Sequence, residues 1–370
     1  MAKKVLIINE GFSSNLGDQA IKQSMEALLQ KLGFETDFCY FTNPAVKQLP
    51  EYQYTNSEPV PESNGLFSAF KKKLLPFLSL FIYCRYFIKV KKQIKACLQN
   101  HNYHMVIIGG GQLINSSEKK ALSFFAISLY QWAKAVKKNP TLSLYLAGVG
   151  VSGKFHAVEK YLYRKALSQA ASIWVRDGFS QTSLTENFNI HSNLVPDVAF
   201  FQPGEFATYE KKNTALVGIY SYDEYSRKFE TAEKNKAAYY KYWHTVVENF
   251  IAKKLEVLLF YTTESDAAET MAFQQYLQTR QLNIQVADIQ SLEDLNRLYQ
   301  NAAVVYSARM HALILGLKKG CKAEAYIISQ KLKSFCEEYI DTGEKPEQLS
   351  DKVYNIFNDY FVNENLATTK

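Results

Sequence analysis

The hydrophobic positions along this chain form two kinds of segment that alternate over most of its length. Short continuous apolar runs predict buried strands, and the longer stretches between them carry apolar residues at helical spacing. Strands that alternate with helices in this way are typical of parallel sheets whose faces are covered by helices. The runs predicted to be strands are 5–9, 36–41, 105–108, 142–147, 173–175, 215–220, 257–261, 284–287, a run that begins at 304, and 323–328.

A polar stretch, residues 202–213, separates two sets of alternating elements and predicts a linker. The chain has 370 residues, which is enough for two domains that each bury a core. We therefore expect an α/β fold in which two Rossmann-like domains, residues 1–205 and 214–345, face each other across a cleft. The last segment, 346–370, contains a helix that is expected to cross back onto the first domain.

Composition adds an expectation about the compartment. Hydrophobic residues make up 47% of the chain and charged residues 21%, as in ordinary soluble proteins. Met1 leads almost directly into the first strand, so we predict no secretory signal and a cytoplasmic location. The five cysteines are scattered without metal-ligand spacing. They are expected to be buried thiols in a reducing compartment, with neither a zinc site nor a disulfide framework.

The net charge of +7 is concentrated in one insert, residues 66–99. There, lysines 71–73 and lysines 89, 91, 92 and 95 bracket the uncharged run 74–84. That run is too short to cross the roughly 30 Å of a bilayer core, but residues 71–95 could lie on an anionic membrane surface. A packed helix with solvated lysines is the other interpretation. Nucleic acid is not an expected partner, because the basic residues form one patch and match no recognition module.

The most informative candidate residues for ligand binding or catalysis follow the strand that begins at 304. Open α/β sheets bind ligands at the carboxyl ends of their strands, and Arg309 and His311 lie at such an end. Arginine offers a planar fork for a carboxylate or phosphate, and histidine exchanges a proton near neutral pH. The two side chains share a side only if the next helix begins at or after Met310.

Residues at the start of the first helix form a second candidate. The free amides there attract anions, and Gly17 allows a ligand to approach Asn15 and Asp18 closely. Asp18 either caps the helix or contacts a substrate. The three spaced glycines of a dinucleotide site are missing, so NAD is not predicted.

Further candidates follow other predicted strands. Gly109, Gly110 and Gly111 would leave bare backbone beside a ligand. Arg176 would place a cation in the same cleft, unless it only pairs with Asp177 or another carboxylate. Lys331, at the start of a helix after the last strand, either adds a point charge to the cleft or is solvated.

Taken in order, these motifs resemble those of the polysaccharide pyruvyl transferase family over about residues 5 to 340. The resemblance rests on segments 15–18, 108–113, 148–150, 175–180, 196–199, 309–312 and 331–335. It implies a fold like that of GT-B glycosyltransferases. It also implies transfer of pyruvate from phosphoenolpyruvate to two hydroxyls of a sugar, giving a cyclic ketal, with phosphoenolpyruvate as a donor substrate and no cofactor.

The chain departs from the family pattern in segments 318–324 and 326–331, which leaves the role of Lys331 open. The insert at 66–99 is longer than the resemblance implies. A specialised acceptor, or one linked to a membrane lipid, would fit that length. The enzyme would then work on the inner face of the cytoplasmic membrane.

The chemistry of phosphoenolpyruvate suits the candidate residues. Arg309 and Arg176 can each bind one of its anionic groups, and His311 is the candidate acid for its methylene carbon. Asp18 would activate or orient a sugar hydroxyl. No metal is required, because the arginines supply the positive charge. The acceptor would bind mainly to the first domain and the donor to the second.

Two alternatives remain at this stage. The chain could be a nucleotide-sugar glycosyltransferase in which the glycines 109–111 and Arg309 hold a diphosphate. It could also be a non-catalytic protein of the same fold that binds glycans.

Overall fold

The computed structural model describes residues 3–49, 68–99, 102–116, 122–211, 213–229 and 232–363. Within them lie two sheets whose strands are all parallel. The first has the order β2-β1-β3-β4-β5-β6 and the second β11-β10-β7-β8-β9. The strands are β1 (Lys4–Asn9), β2 (Glu35–Tyr40), β3 (Met105–Gly109), β4 (Ser143–Val149), β5 (Ser172–Val175), β6 (Asn193–Leu194), β7 (Thr214–Gly218), β8 (Glu256–Leu259), β9 (Gln285–Val286), β10 (Val304–Ser307) and β11 (Lys322–Ala325).

Helices cover both sheets. They are α1 (Leu16–Lys31), α2 (Ser68–Leu98), α3 (Phe124–Lys137), α4 (Ala157–Leu167), α5 (Gly178–Phe188), α6 (Tyr222–Lys228), α7 (Lys236–Ala252), α8 (Glu264–Gln278), α9 (Leu292–Asn301), α10 (Met310–Lys318), α11 (Gln330–Phe335) and α12 (Pro346–Asn358). A 3-10 turn spans Val198–Phe200, and π-helical turns, Cys336–Ile340 and Asp359–Asn363, extend α11 and α12.

The central strands of the first sheet are buried on both faces. Leu6 and Ile8 of β1 point into one hydrophobic cluster, and Val5 and Ile7 point into the cluster on the opposite face. A strand buried on both faces has a continuous run of apolar residues, which is why these strands could be recognised in the sequence.

Each sheet has one point at which the strand order reverses. In the first sheet this point lies between β1 and β3, and in the second between β7 and β10. The connections leave in opposite directions there, so a crevice opens at the carboxyl ends of the two strands. The crevice of the first sheet is bordered by residues that follow Asn9 and Gly109, and that of the second by residues that follow Gly218 and Ser307.

The predicted alternation of strands and helices is confirmed, and so is the start of α10. Arg309 has an extended backbone (φ −93°, ψ 112°) and Met310 is the first helical residue. The short helix α6 was not predicted from the sequence. Its seven residues are mostly polar and carry too little apolar periodicity, and Ser221 defines its start by accepting a hydrogen bond from Glu224 N.

Helix α2 has two faces over the part whose side chains are described, residues 80–98. Val90, Ile94 and Cys97 are buried against the first domain. On the other face Phe81 is 64% exposed and Ile88 56% exposed. The packed-helix interpretation therefore holds for the inner face only. The side chains of residues 68–79, including lysines 71–73, lie outside the described part. No helix in the described ranges is long and apolar enough to cross a membrane.

The last helix joins the two domains. Val353 and Phe357 of α12, with Phe361 beyond it, are buried in the cluster that contains β1 residues of the first domain. Phe357 packs edge-on against Trp174 of β5, with ring centroids 5.4 Å apart. At the other end of α12, Leu349 is buried in the core of the second domain.

Phe357→Ala should lower the free energy of unfolding by about 3–5 kcal/mol, because truncating a buried aromatic ring leaves a cavity. Urea denaturation followed by tryptophan fluorescence measures this loss. Tyr161→Ala is the control, since Tyr161 is 60% exposed and its removal should change stability by about 0.5 kcal/mol or less. Equal losses for the two variants would contradict the packing of α12 on the first domain.

Candidate functional site

The two crevices face each other, and α1 of the first domain meets α10 of the second. The backbone amide of Leu16 donates to the carbonyl of Thr262 across the domain boundary, at 3.0 Å. A Cβ atom on Gly17 would lie 2.8 Å from Cβ of His311 and 2.9 Å from its Nδ1. Only glycine allows this approach. The structure therefore brings together Gly17 and His311, two candidates that are far apart in the sequence.

Asp18 points into this cleft and does not cap its helix. Asn15 is the N-cap, and its side-chain oxygen accepts a hydrogen bond from Gly17 N at 2.9 Å. The capping alternative for Asp18 is therefore wrong. Its Oδ2 accepts a hydrogen bond from Ser13 Oγ at 2.9 Å. Burial raises the pKa of Asp18 above its usual value, and the neighbouring His311 and Arg176 only partly offset this.

Arg176 is 1% exposed and forms an ion pair with a carboxylate that the sequence analysis had not assigned. Its Nη1 donates to Asp197 Oδ2 at 2.9 Å, while its Nε lies 3.6 Å from Asp177 Oδ2. Neither Nε nor Nη2 of Arg176 has a hydrogen-bond partner among the described residues. Buried donors without partners are costly, so this edge of the guanidinium is suited to an anionic ligand.

Asp197 also faces His311. The distance from His311 Nε2 to Asp197 Oδ2 is 3.4 Å, and Nε2 makes no hydrogen bond to any described residue. Burial alone would raise the pKa of Asp197, but His311 and Arg176 outweigh it and hold this pKa well below its usual range. Asp197 is therefore a fixed negative charge between Arg176 and His311. Asp197 lies in segment 196–199, one of the motifs that resemble the family, and this was the signal available in the sequence.

Lys331 belongs to the same cleft and is not a solvated lysine. Its Nζ donates to Oε1 of Gln112, from the loop that follows β3, so this contact also bridges the domains. Burial and the nearby Arg176 lower the pKa of Lys331 to about 7, although Asp177, Asp197 and Asp18 act in the opposite direction. Gln112 was not predicted as a site residue, since nothing in the sequence connects it with Lys331.

Arg309 is held by carboxylates of its own domain. Its Nε and Nη2 both donate to the carboxylate of Asp266, each at 2.7 Å. Its guanidinium lies 3.8 Å from the ring centroid of Tyr220, and Nη2 lies 3.5 Å from Glu224. This edge of the fork is therefore occupied, and a ligand would have to use the remaining nitrogen, Nη1. A donor-binding role for Arg309 stays a prediction.

The three consecutive glycines differ in their surroundings. A Cβ atom on Gly109 would lie 2.4 Å from the side chain of Met25, and one on Gly110 would lie 2.0 Å from that of Ile21. Both distances are too short, and both side chains belong to α1. Gly111 has a positive φ of 72°, and its Cβ would lie 3.8 Å from Asp18 Oδ1. Gly111 therefore borders the cleft, whereas the absent side chains of Gly109 and Gly110 let α1 pack on β3. Within the described ranges, no group of three or more His, Cys, Asp and Glu residues is arranged to hold a metal ion.

Solved structures with the same architecture come from proteins of low sequence identity. UDP-GlcNAc 2-epimerase from Neisseria meningitidis, bound to UDP-GlcNAc, is 10% identical, with a TM-score of 0.50 over 99% of this chain and 100% of that one. UDP-GlcNAc 2-epimerase from Methanocaldococcus jannaschii is 9% identical, with a TM-score of 0.50 over 95% and 91% of the two chains. The expected GT-B-type α/β fold is thus confirmed.

Sequence comparison gives the family. No curated protein sequence matches the chain significantly. The family model described as polysaccharide pyruvyl transferase matches residues 15–323. That range begins at the N-cap of α1 and includes Asp18, Arg176, Asp197 and His311 of the cleft. The chain therefore belongs to the polysaccharide pyruvyl transferase family.

Proposed function

We propose that this protein transfers the pyruvyl group of phosphoenolpyruvate to two hydroxyls of a sugar, which forms a cyclic ketal and releases phosphate. The observation that carries the proposal is the buried guanidinium of Arg176, whose Nε and Nη2 make no hydrogen bond to any described residue. The edge that carries these two nitrogens matches the two oxygens of a carboxylate or phosphate. His311, Asp18 and Lys331 surround the same space.

The charges around the cleft fit a donor with two anionic groups. Arg176 would bind one of them through Nε and Nη2, and Lys331 would offer its ammonium to the other. Nη1 of Arg309 is a third donor that phosphoenolpyruvate could use without displacing Asp266. Asp177 and Asp197 keep Arg176 in place, and their negative charge limits the repulsion among the cations.

The reaction needs one proton transfer to carbon and two additions of oxygen. His311 would donate a proton to the methylene carbon, which makes the adjacent carbon electrophilic. A sugar hydroxyl adds to that carbon, and its proton passes to Asp18. The C–O bond to phosphate then breaks. The second hydroxyl adds to the same carbon and passes its proton to the released phosphate, and the ketal closes.

The environments of the two groups suit these roles. Gly17 lies against one side of the imidazole of His311, and Oδ2 of Asp197 lies 3.4 Å from its Nε2, so the ring is held in one orientation. The raised pKa of Asp18 makes its carboxylate a stronger base than an exposed aspartate.

Binding of phosphoenolpyruvate should depend on the geometry of Arg176 and not only on its charge. Arg176→Lys retains a cation beside Asp197 but cannot offer two parallel N–H groups, so the Kd for phosphoenolpyruvate should rise about tenfold or more. Isothermal titration calorimetry measures the Kd, and Arg164→Lys, on the exposed side of α4, is the matched control.

Isothermal titration calorimetry also distinguishes the proposed function from the two alternative functions. Wild-type protein should bind phosphoenolpyruvate and show no heat with UDP-GlcNAc, the ligand of the Neisseria epimerase structure. Binding of UDP-GlcNAc alone would favour a nucleotide-sugar glycosyltransferase. Binding of neither compound would favour a non-catalytic glycan-binding protein.

His311→Gln should reduce turnover by roughly 10²–10⁴, the usual contribution of a positioned acid, with a much smaller change in donor affinity. Phosphate release from phosphoenolpyruvate in the presence of a sugar acceptor measures turnover. His244→Gln is the control, because His244 lies on α7 beside Glu248 at 3.8 Å and outside the cleft. Loss of donor binding with turnover intact at saturation would make His311 a binding residue instead.

Donor affinity should fall as the pH rises through about 7, because the pKa of Lys331 is lowered to about 7 and only its protonated form attracts an anion. Above this pH, binding requires proton uptake, which costs up to about tenfold in affinity per pH unit. Lys331→Gln should bind more weakly at low pH and lose this dependence. If the variant keeps the wild-type slope, the titrating group lies elsewhere, for example at Lys318, whose pKa burial also lowers to about 7.

We also propose that α2 holds the enzyme on the cytoplasmic face of the membrane, where a lipid-linked acceptor would be found. Its exposed face places Leu80, Phe81, Ile82 and Ile88 beside the exposed lysines 89, 91, 92 and 95. Apolar side chains can enter the boundary of the acyl chains, and each lysine near an anionic surface contributes about 1 kcal/mol.

Vesicle co-sedimentation tests this contact. The protein should pellet with anionic vesicles more than with neutral ones, and less as salt rises, because screening shortens the Debye length. Lys91→Gln with Lys92→Gln should release it, whereas the same charge change at Lys241 and Lys253, exposed lysines of the second domain, should not. Equal pelleting of both double variants would contradict a specific role for α2.

A further inference from the structure

Two thiols that are distant in the sequence meet at the edge of the first sheet. Cys39 lies in β2 and Cys97 in the last turn of α2, and their sulfur atoms are 2.9 Å apart. Both are free thiols in this structure. The pair lies outside the catalytic cleft and has no part in the proposed reaction.

The surroundings of the pair differ from those of a packed hydrophobic core. Nζ of Lys47 lies 3.5 Å from the sulfur of Cys97, and the carbonyl oxygen of Pro44 lies 3.7 Å from the sulfur of Cys39 and 3.5 Å from that of Cys97. A cavity of about 200 Å³ borders the pair and is lined by both thiols, Lys47 and Tyr103. Cys97 is 8% exposed and Cys39 1% exposed, so a reagent entering the cavity meets Cys97 first.

The charges in this cavity favour a thiolate at Cys97. The hydrogen bond from Cys39 and the nearby Lys47 lower the pKa of Cys97 to about 6, while the same hydrogen bond and burial raise the pKa of Cys39. The other charged and titratable groups here are Asp37 and Tyr103. Asp37 pairs with Lys4 at 2.9 Å and accepts a hydrogen bond from Tyr103 at 2.7 Å. A low pKa and a lysine neighbour are the marks of a reactive cysteine.

We propose that Cys39 and Cys97 form a redox-active dithiol that reacts with low-molecular-weight disulfides. The Cys97 thiolate attacks one sulfur of the disulfide, which gives a mixed disulfide and releases one thiolate. Cys39 then loses its proton to solvent and attacks the Cys97 sulfur, which releases the second thiolate and leaves a Cys39–Cys97 bond. The two protein thiols lose two electrons, and the small disulfide gains them.

The bond would tie the end of α2 to β2. Before oxidation, the buried side chains of Val90, Ile94 and Cys97 and a hydrogen bond from Gln93 to Asn43 hold this part of α2 without a covalent link. After oxidation a covalent link fixes the end of the helix on the sheet. A reduced dithiol such as dithiothreitol restores the original state by the reverse exchange.

The experiment treats the full-length protein with oxidised glutathione and follows it by intact mass and peptide mapping. Wild-type protein should lose the mass of two hydrogens, retain no glutathione and yield a linked peptide pair containing Cys39 and Cys97. Cys39→Ala should stop at a stable glutathione adduct on Cys97, because the second thiol is missing. Cys97→Ala should leave Cys39 unmodified. Cys84→Ser, an exposed cysteine on the same helix, is the control and should form the bond like the wild type.

A second measurement follows the rate at which the cysteines of the protein are alkylated, with every cysteine left in place. The rate of alkylation of Cys97 by iodoacetamide should rise with pH with a midpoint at about 6, and Lys47→Gln should move this midpoint to a higher pH. Adducts distributed over Cys84, Cys321 and Cys336 would overturn the proposal. So would failure of the Cys39–Cys97 bond to form in the folded wild-type protein, or alkylation of Cys97 no faster than that of the buried Cys321.

Discussion

The ion pair between Arg176 and Asp197 is the interaction on which the cleft depends. Both side chains are 1% exposed. A buried charge is tolerated only with a partner, and removing one partner of such a pair typically costs about 3–5 kcal/mol. Nη1 of Arg176 donates to Asp197, whereas Nε and Nη2 make no hydrogen bond to any residue in the described part of the chain. The pair thus makes it possible to bury a cation in the cleft while part of it stays available to a ligand.

Asp197 extends this pair into the second domain, because the same oxygen that accepts from Arg176 also faces His311. Two further contacts join the two domains at the cleft. Gly17 allows α1 to lie against His311, and Lys331 reaches Gln112. Each of these contacts involves a residue of the candidate site. The candidate site therefore lies at the contact between the two domains.

The segment in which the chain departs from the family pattern has a structural role here. Lys318, at the end of α10, donates to the carbonyls of Ala199 and Phe201, both at 2.8 Å. These carbonyls belong to the 3-10 turn that follows Asp197 and its C-cap. The lysine thus binds the second domain to the backbone that positions the central carboxylate.

The sequence by itself determined the strands, the alternation of elements, the start of α10 and most residues of the cleft. These features are local: a buried parallel strand needs a continuous apolar run, and residues after such strands lie at its carboxyl end. The tertiary structure decided which charges are neighbours. Asp197 beside Arg176, Asp266 on Arg309, Gln112 on Lys331 and Cys39 beside Cys97 all join residues at least 21 positions apart. Such pairings have no periodic signal in the sequence, because they depend on the packing of whole domains. That packing also sets the burial which raises the pKa of Asp18 and lowers that of Lys331.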